Sequence, residues 1–236
     1  MAHSHDQQLD QIPLEQGSYL GSEAARLIGT STAKIRRWMK GYTYKENGLE
    51  RKVGPLWQSQ LSLSDEHLEI GFRDLIELRF VKSFTDAGVG LLAVRNCLEY
   101  ARKCVDDDHP FSTQRFRTDG RTIFLESLDN LDGERLLDLK KKQYAFKNII
   151  ERSFKDLDLE DGTVARWRPF KGKPSIIIDP QRSFGQPIAD LYGVPTVVLA
   201  DAVKAEGSIA KAARVYEVTP AVIRDAVAFE NGLAAA

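Results

Sequence analysis

Between Gly21 and Trp38 the chain carries a spacing that little else than two short helices set at an angle can satisfy. Ala25 is followed four positions on by Gly29, and ten positions on by Ile35. A small residue is needed where one helix meets the next, a residue tolerant of positive φ where the chain turns, and an apolar anchor on the second helix facing the first. Thr30 or Ser31 is placed to cap the second helix, and Trp38 and Met39 continue its buried face. These residues predict a helix-turn-helix.

A hairpin is expected directly after the second helix, in the position of a wing. Asn47-Gly48 is a strong two-residue turn signal, and Tyr42–Glu46 and Leu49–Val53 are its arms. Tyr19 to Gln58 holds eight basic residues against three acidic ones, in a chain of formal net charge -1. A local excess of this kind is the electrostatic footprint of a nucleic-acid surface. The expected DNA-binding residues are Ser31, Thr32, Lys34, Arg36, Arg37 and Lys40 on the second helix, with Tyr42, Lys45, Arg51 and Lys52 on the wing. An Arg there can read guanine in the major groove, and a Lys mostly meets phosphate.

Beyond the wing, residues 72–86 and the segment from Leu91 to Ala101 recur with helical period, and His109-Pro110 is expected to stop the second of these. Phe116, Ile123 and Leu125 flank Asp119-Gly120, which predicts another hairpin; residues 133–151 return to helix. The acidic run Asp156 to Asp161 reads as a linker, followed by strands at Val164–Arg168 and Ser175–Ile178 and then by short helices. The fold class expected is mainly α with small β-hairpins. Residues 1–18 read as a disordered leader, 19–155 as a DNA-binding domain with a helical and hairpin extension, and 156–236 as a small α+β domain.

That last domain repeats the opening motif. Ala213 is followed by Ile223 ten positions later, Glu217 stands in for the turn glycine, and Thr219-Pro220 supplies a cap and a first helical residue. From Glu151 onward, 11 basic and 12 acidic residues balance, so this second helix-turn-helix-like unit is expected to contact protein rather than DNA.

Other constellations point away from chemistry. Cys97 and Cys104 are two helical turns apart, too far for a disulfide, and no fourth ligand joins them and His109 in a zinc set. His3 and His5 stand without further ligands, and Asp106-Asp107-Asp108 reads as a solvated helix end. No phosphate loop or nucleophile–base pair stands out, so neither enzyme activity nor a cofactor nor a metal is expected. No run of about 18 apolar residues and no secretory signal is present, which leads us to expect no membrane contact and a cytoplasmic location.

Residues 19–104 resemble the MerR-type winged helix-turn-helix, through Ser22-Glu-Ala-Ala25, Ile35-Arg-Arg-Trp38 and Phe72-Arg-Asp-Leu-Ile-Glu-Leu78. The wing is longer than usual there, and no long dimerisation helix ends the chain, which argues against a standard small-molecule sensor. Lys173–Pro180, Phe184-Gly185, Gly193–Thr196, Ala205–Ser208, Ala212-Ala213 and Phe229-Glu230 resemble the C-terminal domain of VapB-type antitoxins that pair with PIN-like ribonuclease toxins. The resemblance implies a homodimeric autorepressor that binds double-stranded operator DNA and neutralises a cognate PIN-like toxin encoded next door. A PIN-type site is a carboxylate cluster, which an arginine can satisfy in bidentate fashion. Arg166, Arg168, Arg182, Arg214 and Arg224 are the candidates, with no choice among them. Two alternatives stand beside this: a MerR-like transcription factor sensing a small molecule or metal in a pocket of residues 89–150, and a non-catalytic assembly protein.

Overall fold

The structure is a computed structural model that describes residues 17–61, 68–128 and 143–235. The leader to residue 16 and the first part of the helix expected at 133–151 lie outside the described residues.

Strand β1 (Tyr19–Leu20) pairs antiparallel with β4 (Glu69–Ile70), which ties the start of the chain to the segment after the wing. Helix α1 (Gly21–Ile28) opens with Glu23 accepting from the Leu20 amide at 2.9 Å and ends at Gly29 with φ 67°. Helix α2 (Thr32–Lys40) is capped by the Ser31 hydroxyl, which accepts from the Lys34 amide at 3.3 Å. Strands β2 (Tyr42–Glu46) and β3 (Leu49–Val53) form the expected hairpin in full register, with Asn47 and Gly48 both at positive φ.

Helix α3 (Phe72–Asp86) is buried on nearly all sides, as a helix at the centre of a domain must be. Around it pack α4 (Leu91–Val105), a 3-10 turn at Pro110–Ser112, α5 (Gln114–Ser127) and α6 (Gln143–Phe154). Stacked and tilted rings fill the space between them: Phe124 and Phe146 have centroids 3.7 Å apart, Phe84 and Phe146 4.4 Å, Phe80 and Phe154 5.0 Å.

Helix α5 corrects the hairpin expected around Asp119-Gly120. Phe116, Gly120, Ile123, Phe124 and Ser127 share one buried helical face, and Thr113 caps its start by accepting from the Phe116 amide at 3.1 Å. Burial of that aromatic face outweighs the local turn preference. Gly120 is there for closeness: a Cβ at this position would lie 2.9 Å from Ile150 Cδ1.

The acidic run expected as a linker is instead β5 (Leu157–Glu160), paired with β6 (Thr163–Trp167). Its carboxylates are matched by cations from elsewhere, since Asp156 pairs with Arg79 and Asp158 with Arg166 and Arg168. Leu157, Val164 and Trp167 join the large core that begins at Tyr19. A three-stranded sheet comes next, of β7 (Ile176–Ile177), β8 (Ile188–Ala189) and β9 (Val194–Pro195). The chain ends in α7 (Thr196–Glu206), α8 (Ile209–Val215) and α9 (Pro220–Ala234), which with Ala189 close a second, smaller core around Leu199, Ala212, Ile223 and Ala226. Tyr19 bridges to this part of the chain, donating its hydroxyl to the Gly185 carbonyl at 2.8 Å. Among the described residues no helix is long and apolar enough to cross a membrane.

Candidate nucleic-acid interface

The geometry of α2 divides its residues as the spacing requires. Ile35, Trp38 and Met39 are buried. Ser31, Lys34, Arg36 and Arg37 are exposed, while Thr32 and Lys40 are half-buried. The wing carries Lys45, Arg51 and Lys52 on exposed positions, with Arg51 also 3.4 Å from Glu46 on the neighbouring strand. A capped helix N-terminus leading into outward cations, with a basic hairpin alongside, offers the donors and charge that groove and backbone contacts need.

Three devices hold the hairpin against α2 and α4. Gly41 joins helix to wing at φ 77°, where a Cβ would stand 2.1 Å from the Val53 carbonyl oxygen, so no other residue fits. The Arg37 guanidinium lies over the Tyr42 ring, 3.6 Å from its centroid. Arg95 on α4 donates to the Gly54 and Pro55 carbonyls at 2.8 and 2.7 Å, clamping the far end of β3.

A buried polar hub anchors the segment that leaves the wing. Asp74 is fully buried and accepts from Trp57 Nε1 at 2.7 Å, Ser59 Oγ at 2.9 Å, the Gln60 amide at 3.0 Å and the Gly71 amide at 3.2 Å. His109 Nε2 lies 2.8 Å from Oδ1, the same oxygen that Trp57 contacts. Burial pushes this carboxyl up, but hydrogen bonds from His109, Trp57 and Ser59, with the charge interaction of His109, hold it below its ordinary value. Arg73 donates to Asp107 and to the His109 carbonyl, both at 2.8 Å. Asp107 thus ties a loop down, which corrects the reading of Asp106–Asp108 as merely solvated.

Sequence reasoning missed Arg95, Asp74 and His109. A carboxylate among the helically recurring apolar positions of Phe72–Leu78 was the available signal for Asp74. Nothing local marks Arg95.

The five C-terminal arginines separate into two groups. Arg166 and Arg168 are held by Glu160 and Asp158, and Arg182 by Asp190 at 2.7 Å. Arg214 and Arg224 are exposed, and among the described residues neither has a carboxylate partner; Arg214 donates to the Ala210 carbonyl, at 3.4 Å. Among the described residues no group of three or more His, Cys, Asp or Glu is arranged to hold a metal ion; His3 and His5 lie outside them.

Comparison with known proteins adds a direction to this geometry. No family model matches the chain. It is 28% identical to a Mycobacterium tuberculosis protein named "Putative antitoxin VapB45", across 94% of this chain and 97% of that one. The similarity therefore runs through both cores. The crystal structure of Rv2018 from the same organism has the same fold, with a TM-score of 0.69 over 92% of this chain and 98% of that one, at 24% identity.

Proposed function

We propose that this chain is the antitoxin of a toxin–antitoxin pair, which represses its own operator and neutralises a PIN-like ribonuclease. The observation that carries the DNA half is the joint presentation of Arg36 and Arg37 on α2 beside a wing tied to α2 by Gly41 and Tyr42 and to α4 by Arg95. In this reading residues 19–155 hold the operator, with Ser31, Thr32 and the two arginines toward base edges. Lys34, Lys40, Tyr42, Lys45, Arg51 and Lys52 lie along the backbone, and a homodimer spans two half-sites.

The name of the relative supports the antitoxin half. Residues 156–236 are the proposed toxin-facing part. Of its five arginines we assign the role to Arg182, which is held by Asp190 next in sequence to the exposed Leu191 and Tyr192, so that a toxin carboxylate would take the place of Asp190 on its guanidinium. No catalytic role is proposed for any residue.

The sensor alternative has less support, because among the described residues Phe84 of α3, Phe146 of α6 and Phe124 of α5 stack on one another at the centre of the region it would use.

Two measurements test the proposal. Arg36→Ala with Arg37→Ala is expected to weaken binding to the promoter region of its own gene by about 1–3 kcal/mol for each base-reading arginine. Unchanged affinity at fixed salt would remove α2 from the interface. Co-purification with the product of the adjacent gene, then a ribonuclease assay, is expected to give a tight complex with suppressed cleavage; free toxin of full activity would refute neutralisation.

A further inference from the structure

The chain contains the helix-turn-helix twice, and the second copy matches the first atom for atom at the turn. The Thr30 amide donates to the Ala25 carbonyl at 2.9 Å, and the Val218 amide to the Ala213 carbonyl at 3.0 Å. The Gly29 and Glu217 amides donate to the Arg26 and Arg214 carbonyls, each at 3.3 Å, and both turn residues have positive φ, 67° and 53°. Ser31 caps α2 by accepting from Lys34 at 3.3 Å, and Thr219 caps α9 by accepting from Val222 at 3.4 Å. Ile35 and Ile223 are each fully buried. Counting from either cap, Arg36 and Arg224 stand at the same position, and both are exposed.

The even charge balance of this third of the chain argues against nucleic acid, but the pairing of those charges is uneven. Arg166, Arg168, Arg182 and Lys204 are taken up by carboxylates of their own neighbourhood. Lys211, Arg214 and Arg224 are exposed, and among the described residues no carboxylate lies within ion-pair distance of them. Asp225, in the place of Arg37, is engaged by Lys173 at 3.2 Å, and Glu217 sits exposed at the turn.

We propose that α8 and α9 form a second DNA-binding surface, meeting the phosphate backbone through Lys211, Arg214 and Arg224 and lacking a wing. Val215 and Tyr216, exposed beside Arg214, give this surface apolar contact with sugar or base edges. The inference rests on the operator reading, and it adds a second contact per chain.

The test uses the full chain and labelled duplexes from the promoter region of its own gene, with binding monitored by anisotropy over a salt series. Each phosphate contact adds about 0.9 to the slope of log affinity against log salt. Lys211→Ala/Arg214→Ala/Arg224→Ala is expected to flatten the slope by about 2–3 and to lower affinity about tenfold or more near physiological salt. Hydroxyl-radical footprints should lose part of the protected stretch, while Arg224→Glu alone should act in the same direction with an unchanged melting temperature. A wild-type slope and footprint in these variants, with binding still lost in Arg36→Ala/Arg37→Ala, overturns the second surface and leaves the first intact. Loss of toxin suppression with DNA binding unchanged overturns it too, and assigns the surface to the protein partner instead. If neither set of variants alters DNA binding, the operator reading fails with it.

Discussion

Arg37 and Tyr42 form a cation–π pair across the junction between α2 and the wing, 3.6 Å from guanidinium carbon to ring centroid, so one of the two arginines proposed to meet DNA also holds the hairpin. An Arg kept over an aromatic face spends less conformational freedom when it meets a phosphate or a base. Tyr44 continues the aromatic ledge, its ring 6.1 Å from that of Tyr42.

The pair makes Tyr42 separable from a simple DNA contact. At an exposed site a cation–π interaction contributes about 0.5–1 kcal/mol. Tyr42→Ala is therefore expected to weaken promoter binding about two- to fivefold, and Tyr42→Phe to bind like the wild type. Anisotropy titrations at one salt concentration compare them. Equal losses in the two variants would assign the effect to the tyrosine hydroxyl.

Gly41 gives a harder constraint. With φ 77° and ψ -170° it occupies backbone space that only glycine uses freely, and the Val53 carbonyl stands where a Cβ would go. Gly41→Ala is expected to cost about 1–3 kcal/mol of stability and to displace the wing. Thermal melting reads the first effect, and protease cleavage within Tyr42–Val53 reads the second. A variant that melts like the wild type and resists cleavage would show that the junction tolerates rearrangement.

One carboxylate ties the β5–β6 hairpin to α3. Asp156 receives Arg79 of α3 and Trp167 Nε1 at 3.0 Å, and Arg79 is otherwise bonded to the Ser153 carbonyl at 2.6 Å. Burial pushes the Arg79 guanidinium down from its ordinary value, with Asp156 opposing the change. Removing one member of such a pair leaves a buried charge uncompensated, so Asp156→Ala should destabilise by about 3 kcal/mol. Arg79→Met in that background should recover part of the loss, as a denaturation double-mutant cycle would reveal.

The legibility of these elements in the sequence tracks the range of the forces that shape them. Gly29, Ser31, Asn47-Gly48 and the Ala25–Ile35 spacing act within one turn or one hairpin, and the structure places each as expected. Thr219 and Glu217 are legible for the same reason. Asp119-Gly120 misleads because its fate is decided by Ile150, 30 residues away, against which the glycine closes. The acidic run at 156–161 misleads because its neutralising Arg79 comes from α3. Arg95 and His109 gain their roles only from what the fold brings beside them, Gly54 and Pro55 for one and Asp74 for the other.

Glu77 carries the pH dependence expected of the fold. It is fully buried on α3; one oxygen accepts from the Ser112 amide at 3.0 Å, and for the other no hydrogen-bond partner is found among the described residues. Burial pushes its carboxyl up to about 8, an effect that Arg73 and the Ser112 amide only partly offset. The folded chain therefore keeps a proton that the unfolded chain releases near its ordinary value of 4.5. Stability from this group is fully present below that value, declines as pH rises, and is lost once pH passes about 8. Asp74 works in the opposite sense: its depressed value contributes stability that is present above the ordinary carboxylate value and is lost as pH falls below it. Glu77→Gln keeps an acceptor for Ser112 and cannot ionise. Urea denaturation near pH 6 and near pH 9 should show the wild type losing a few kcal/mol between the two and Glu77→Gln losing much less. Parallel losses in both proteins would place the alkaline sensitivity elsewhere in the core.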